Sequence, residues 1–141
     1  MGKVIGVRTP GWFRLLAVLG LAWNAYGVYM YLLSVGMIRG AAPAAAPPAQ
    51  AVPAWVTGVF AVAVFAGLLG SLLMVAGKRL ACIFFVLSFV AVVAQMVWVA
   101  FISNARAVEG MKALIMPGTI TLVALLLMLV AAKGAAKYWL D

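Results

Sequence analysis

The sequence predicts an all-α membrane protein, a bundle of four transmembrane helices. Hydrophobic residues make up 69% of the 141 residues and charged residues only 9%, whereas a soluble domain has about 25% charged residues. The mean hydropathy is +1.24. The apolar residues are gathered into four runs of about 20 residues or more, and each run, as a helix, reaches the roughly 30 Å thickness of a bilayer's hydrocarbon core.

The whole chain, residues 1–141, is expected to form a single transmembrane domain. The predicted spans are residues 12–36, 54–76, 80–102 and 113–132. Helices are the expected form because the bilayer core offers no hydrogen-bond partner to an exposed backbone N–H or C=O group. The first run could also be read as a cleaved signal peptide, but it is longer than the about 7–15 apolar residues of such a segment and contains Asn24.

The connections between the spans differ in composition. Residues 37–53 are rich in alanine and contain four prolines, which disfavour a regular helix and predict an exposed loop. Residues 77–79 form a tight turn that makes the second and third helices an antiparallel hairpin. Residues 103–112 are a short polar loop, and residues 133–141 are a tail.

Positive charge predicts the orientation of the bundle. With four spans, both termini lie on the same side as the turn at 77–79. That side holds seven of the ten Lys and Arg residues: Lys3, Arg8, Arg14, Lys78, Arg79, Lys133 and Lys137. Because cytoplasmic segments are enriched in Lys and Arg, both termini are expected in the cytoplasm, with the loops 37–53 and 103–112 outside.

The net charge of +8 does not indicate nucleic-acid binding. The cations are dispersed between apolar runs and form no basic stripe with aromatic partners. The expected partner is therefore the lipid bilayer, together with a second copy of the chain or a larger membrane complex.

A polar cluster is predicted between the helices. Helical spacing places four residues on one face of the first span: Gly20, Asn24, Gly27 and Tyr31. Because an unpaired amide facing lipid is costly, Asn24 is expected to bond to another helix, and Gln95 in the third span is its natural partner. Ser88 lies one heptad before Gln95. The candidate cluster of Asn24, Tyr31, Ser88 and Gln95 is either a set of packing hydrogen bonds, which we favour, or a polar pocket for a small substrate.

The second and fourth spans carry further packing signals. Ala63, Gly67 and Ser71 follow one another at steps of four residues and form a stripe of small side chains, which lets two helices approach closely. This stripe is either a contact inside the bundle, which we favour, or a homodimer face. Pro117 and Gly118 indicate a kink or a helix start in the fourth span, with a gating hinge as the alternative.

The sequence shows no set of residues typical of an enzyme. The central parts of the spans contain no Asp, Glu, His, Lys or Arg, so no proton relay or haem ligand is visible. Glu109, Asp141 and the single cysteine, Cys82, make no acid, base or nucleophile constellation. We therefore predict no catalytic, cofactor-binding or metal-binding residues, no cofactor and no enzymatic activity.

Four motifs spread over nearly the whole chain resemble a family of small bacterial four-span membrane proteins. They are Leu21-Ala-Trp-Asn-Ala-Tyr-Gly-Val-Tyr-Met-Tyr31, Pro53-Ala-Trp-Val, Gly67-Leu-Leu-Gly-Ser-Leu-Leu-Met74 and Lys78-Arg-Leu-Ala81. Members of this family are usually uncharacterised and sometimes labelled sugar transporters. The resemblance implies a bacterial inner membrane but brings no reaction with it. The family tends to carry an aspartate in the first span where this chain has Met30, which puts any function of that acid in doubt.

The packing signals and the missing catalytic groups together predict a non-enzymatic accessory or assembly subunit. Such a subunit would pack through its helix faces against itself or a larger complex. The alternative is a small oligomeric transporter or facilitator for a neutral solute, which would use the candidate cluster as uncharged hydrogen-bonding groups.

Overall fold

Four long helices follow one another along the chain in the computed structural model, which describes residues 8–38, 53–102, 107, 110–137 and 139–140. Their bounds are Gly11–Ser34 for α1, Ala54–Val75 for α2, Ala81–Val97 for α3 and Ile115–Ala136 for α4. A π-helical turn, Trp98–Ile102, continues α3, and a 3-10 turn, Gly110–Leu114, leads into α4. The predicted all-α bundle of four helices is confirmed.

Parts of the predicted connections lie outside the described residues. They are residues 1–7, residues 39–52 of the alanine- and proline-rich loop, residues 103–106 and 108–109 of the second loop, and residues 138 and 141 of the tail. Glu109 and Asp141, the two acidic residues of the chain, are among them.

Helices α1 and α2 end in the same way, at a glycine with left-handed backbone. Gly36 has a φ of 74° and Gly77 a φ of 77°, values that glycine adopts without steric cost. After α2, the N–H of Lys78 donates to the C=O of Leu73 at 2.8 Å. This bond belongs to a Schellman motif, which satisfies carbonyls at the helix end and reverses the chain into α3.

Each helix is long and apolar enough to cross a membrane. The four candidate spans are Gly11–Leu33, Ala54–Val75, Ala81–Ile102 and Gly110–Ala136. The shortest of them has 22 residues and reaches about 33 Å. Many large apolar side chains on the outer faces are exposed, such as Leu15 at 59% and Ile83 at 64%, which suits contact with lipid and not with water. The protein is therefore a multi-pass membrane protein.

Helix α4 continues to Ala136, past residue 132 where the apolar run ends. The added turn is built mainly from alanine and glycine and holds Lys133, a cation that the negative end of the helix dipole favours. The Lys133 ammonium lies 5.2 Å from the centre of the Trp12 ring on α1, so this extra turn also joins α4 to α1.

Consecutive helices pack against each other, α1 on α2, α2 on α3 and α3 on α4. Helices α1 and α4 meet in the half of the bundle that contains the α2–α3 turn, where Leu127 lies over Gly20 and Phe13 lies over Gly134. The core cluster of this half comprises Phe13, Ala17, Met74, Ala81, Phe85, Leu127, Ala131 and Leu140. In the other half, a smaller cluster of Ala63, Ala91 and Val92 joins α2 to α3.

Candidate functional site

The side chain of Asn24 binds α1 to α2. Its amide nitrogen donates to the C=O of Gly20 in the same helix at 2.9 Å and to the hydroxyl of Ser71 on α2 at 3.0 Å. Ser71 has no exposed surface. Because both amide hydrogens are used, the group that Asn24 can still offer is its oxygen, which only accepts hydrogen bonds. The Asn24 amide thus pairs with Ser71 on α2, and not with Gln95, the partner expected from the sequence.

Gly67 lets polar side chains from two helices reach the backbone of α2. A methyl group added at Gly67 would overlap the amide oxygen of Asn24 and lie 3.2 Å from the hydroxyl of Ser88. From α3, the Ser88 hydroxyl donates to the C=O of Ala63 at 2.7 Å. The missing side chain at position 67 therefore makes room for α1 and α3 at once.

The small-residue stripe lies inside the bundle. Ala63 is 3% exposed, Ser71 is 0% exposed, and Gly67 is also buried. Asn24 covers the stripe from α1 and Ser88 covers it from α3. Of the two interpretations of this stripe, the structure shows the internal contact, and this face is not free to pack against a second copy of the chain.

A cavity of about 250 Å³ lies between the four helices beside the stripe. Its wall is mostly apolar and includes Phe60, Val92, Met116, Ile120 and Ala124. Four side chains that end in an uncharged amide or hydroxyl also line it: Asn24, Tyr26, Ser88 and Gln95. Among the described residues, none that lines the cavity is charged at neutral pH.

The cavity opens between α1 and α4. Leu127 packs on Gly20 and closes the side toward the α2–α3 turn. Beyond this contact, Tyr26 on α1 and Met116 on α4 flank the cavity and are 52% and 54% exposed. Both helices are candidate spans, so the opening is bordered by two apolar helices.

The structure brings three members of the predicted polar cluster to this cavity and places the fourth elsewhere. Ser88 and Gln95 line it from α3, in agreement with their seven-residue spacing, and Asn24 lines it from α1. Tyr31 is not one of the lining residues. Its ring packs edge-on against Phe60 and Phe65 of α2, with ring centres 5.5 and 5.8 Å apart, and so fixes the last turns of α1 on α2.

Sequence reasoning missed Ser71 as a hydrogen-bonding residue. It recognised position 71 only as part of the small-residue stripe. The available signal was the position of its hydroxyl, one helical turn beyond Gly67 on the face that α1 must approach closely. On that face of α2, Ser71 offers a hydroxyl to an amide from α1.

Pro117 lies in the first turn of α4, where a proline removes no hydrogen bond of the helix interior. The hydroxyls of Thr119 and Thr121 donate to the carbonyls of Ile115 and Pro117, both at 2.8 Å. The Pro-Gly pair therefore marks a helix start, one of the two structural interpretations given by the sequence.

Within the described part of the chain, no three His, Cys, Asp or Glu residues form a group that could bind a metal ion. The cavity between the helices is defined by its apolar wall, its opening between α1 and α4, and its four uncharged polar side chains. No protein-family model, no curated protein and no solved structure matches this chain.

Proposed function

We propose that this membrane protein binds an uncharged, largely apolar molecule of the bilayer in the cavity between its four helices, without chemical conversion. The observation that carries the proposal is a single cavity that combines apolar walls, an opening between two candidate spans, and the side chains of Asn24, Ser88 and Gln95. Such a lining, mostly apolar with a few oriented polar groups, is typical of small-molecule sites.

The size and polarity of the cavity define the class of ligand. An apolar cavity of about 150 Å³ holds one benzene molecule, so the 250 Å³ observed here suits a larger ring system or a segment of alkyl chain. A charged group would lose its hydration without gaining a counter-ion among the lining residues. A hydroxyl can donate to the Asn24 oxygen, and the Gln95 amide can both donate and accept. The expected ligand is therefore an alcohol, ketone or ester with an apolar body.

Photolabelling tests this proposal. The probe is a long-chain fatty alcohol with a diazirine in its chain, added to the purified protein in lipid nanodiscs, and labelled residues are mapped by mass spectrometry. The two variants are Ala124→Phe, which fills the cavity from α4, and Ala132→Phe, which adds the same ring at an exposed position of the same helix.

The expected result is labelling of cavity residues such as Phe60 and Ile120 in the original protein and in Ala132→Phe. In Ala124→Phe this labelling should fall several-fold, while labelling of outer residues such as Leu122 stays the same. Labelling spread evenly over the outer apolar surface, with no effect of Ala124→Phe, would show that the alcohol only surrounds the protein as lipid does.

A second candidate function is a facilitator for a small neutral solute, and one observation favours it. Asn24, Ser88 and Gln95 line a single cavity and could replace some of a solute's hydrogen bonds to water. Glycerol entry into proteoliposomes, followed by light scattering, tests it. Faster entry than in protein-free vesicles, slowed by both Asn24→Leu and Gln95→Leu, would support facilitation, and entry at the protein-free rate would exclude it for glycerol.

The role of an accessory or assembly subunit in a bacterial inner membrane remains a proposal that is compatible with ligand binding. Its support is the set of helix-packing signals in the sequence. The stripe of small residues on α2 is buried inside the bundle, so a partner would have to bind another face. Native mass spectrometry of the protein released from its own membranes tests it. A reproducible larger partner is the expected result, and a monomer that carries only lipid would argue against the subunit role.

A further inference from the structure

A second cavity, of about 340 Å³, lies at the end of the bundle where the chain enters α1, turns from α2 to α3 and leaves α4. It shares no lining residue with the first cavity. Its wall includes Thr9, Arg14, Gly77 and Trp139. On the side toward the bundle it is lined by apolar residues such as Ala17 and Met74.

This end of the molecule is strongly positive. Six exposed cations belong to it: Arg8, Arg14, Lys78, Arg79, Lys133 and Lys137. The two acidic residues of the chain, Glu109 and Asp141, lie outside the described residues. The described residues therefore provide no carboxylate partner for these cations, and a concentration of positive charge of this kind attracts anions.

The aromatic residues beside this second cavity suit a position near the lipid headgroups. The rings of Trp12 and Trp139 lie 5.5 Å apart, and Phe13 and Trp139 lie 5.3 Å apart. Tryptophan is enriched at the membrane–water interface because its ring is apolar and its N–H is polar. A cavity walled by Trp139 and Arg14 is therefore expected near the phosphates of the bilayer.

We propose that this second cavity binds a phosphate group, supplied by the headgroup of an anionic phospholipid. The guanidinium of Arg14 pairs with two phosphate oxygens in the geometry that arginine and phosphate share, and the Thr9 hydroxyl donates to a third. Two exposed apolar residues of the wall, Val18 and Val75, contact the beginning of an acyl chain. Basic pockets between transmembrane helices are a recurring form of lipid headgroup site.

Lipid titration monitored by native mass spectrometry tests the site. The full-length protein in mild detergent is titrated with phosphatidylglycerol or with phosphatidylcholine of the same acyl chains. Arg14→Gln removes the proposed phosphate ligand, and Arg79→Gln removes a positive charge at the same end from a residue outside the cavity wall. Thr9→Val is a second variant within the wall, and circular dichroism verifies that each variant keeps its helices.

The expected result is one phosphatidylglycerol that binds more tightly than phosphatidylcholine. Its dissociation constant should rise about tenfold in Arg14→Gln, less in Thr9→Val, and less than about twofold in Arg79→Gln. Equal weakening by Arg14→Gln and Arg79→Gln, or no preference between the two lipids, would overturn the proposal, because diffuse charge would then account for binding.

A parallel titration with excess inorganic phosphate separates the two sources of the phosphate. Retention of the bound phosphatidylglycerol supports the lipid as the source. Displacement of that lipid by inorganic phosphate, lost in Arg14→Gln, would support the phosphate site but assign its ligand to the solution.

Discussion

The amide of Asn24 on α1 donates a hydrogen bond of 3.0 Å to the hydroxyl of Ser71 on α2. A double-mutant cycle with Asn24→Ala and Ser71→Ala measures the strength of this bond, with the free energy of unfolding determined in bicelles by steric trapping. We expect a coupling free energy of about 0.6 kcal/mol, the average for such bonds in membranes. The control is the cycle of Asn24→Ala with Gln95→Ala, for which we expect a coupling near zero. A larger coupling with Gln95 than with Ser71 would contradict the observed pairing.

A second prediction concerns Gly67, where a side chain would overlap the Asn24 amide oxygen. Gly67→Ala should lower the free energy of unfolding by about 1–3 kcal/mol, as overpacking does in tight interiors. Gly58→Ala is the matched control on the same helix, because nothing lies within 4 Å of a methyl group there. It should be neutral or stabilise the helix by up to about 1 kcal/mol. Equal effects of the two substitutions would show that Gly67 provides no close approach.

Helix α4 offers a similar comparison. A methyl group at Gly134 would lie 2.6 Å from the ring of Phe13, whereas at Gly118 it would meet nothing within 4 Å. Gly134→Ala should displace the Phe13 ring, which contacts Trp139, and should change both the tryptophan emission and the free energy of unfolding, the latter by about 1–3 kcal/mol. Gly118→Ala should leave the emission unchanged. An unchanged emission in Gly134→Ala would mean that Phe13 does not fill this contact.

The predicted orientation can be tested with single cysteines. In a Cys82→Ala background, Met37→Cys follows α1 and Lys137→Cys follows α4, and both positions are exposed. If both termini lie in the cytoplasm, a membrane-impermeant maleimide labels Met37→Cys in intact cells and labels Lys137→Cys only after the cells are permeabilised. The opposite pattern would reverse the orientation.

Much of the fold could be predicted from the sequence because hydropathy alone identifies helices that cross a bilayer. The runs that begin at residues 54 and 80 correspond to α2, Ala54–Val75, and to α3 with its π-helical turn, Ala81–Ile102. The end of α4 could not be predicted in this way. Lys133 ends the apolar run, yet the helix continues because alanine has a high helix propensity and a cation is favourable in the last turn.

The candidate site was predicted less completely than the fold. The helices are apolar on all sides, so hydropathy does not define how each helix is rotated about its axis. Asn24 was correctly expected to bond to another helix, because an amide needs a partner in the membrane. Its partner, Ser71, was not identified: the small-residue stripe places position 71 on the face that α1 approaches, but the choice between Ser71 and Gln95 also depends on the rotation of α2 and α3. The same uncertainty explains Tyr31, which packs on Phe60 and Phe65 instead of lining the cavity.

The contact of Leu127 with Gly20 makes the two halves of the α1–α4 boundary unequal. That contact and the core cluster around Phe13 and Ala131 occupy the half of the bundle nearest the α2–α3 turn. Among the described residues, the cavity is therefore open only along the other half of the α1–α4 boundary. Under the proposed function, a molecule of the distal leaflet would enter past Tyr26 and Met116, whereas one of the proximal leaflet would meet a closed wall. Passage from one leaflet to the other would require α4 to move away from α1.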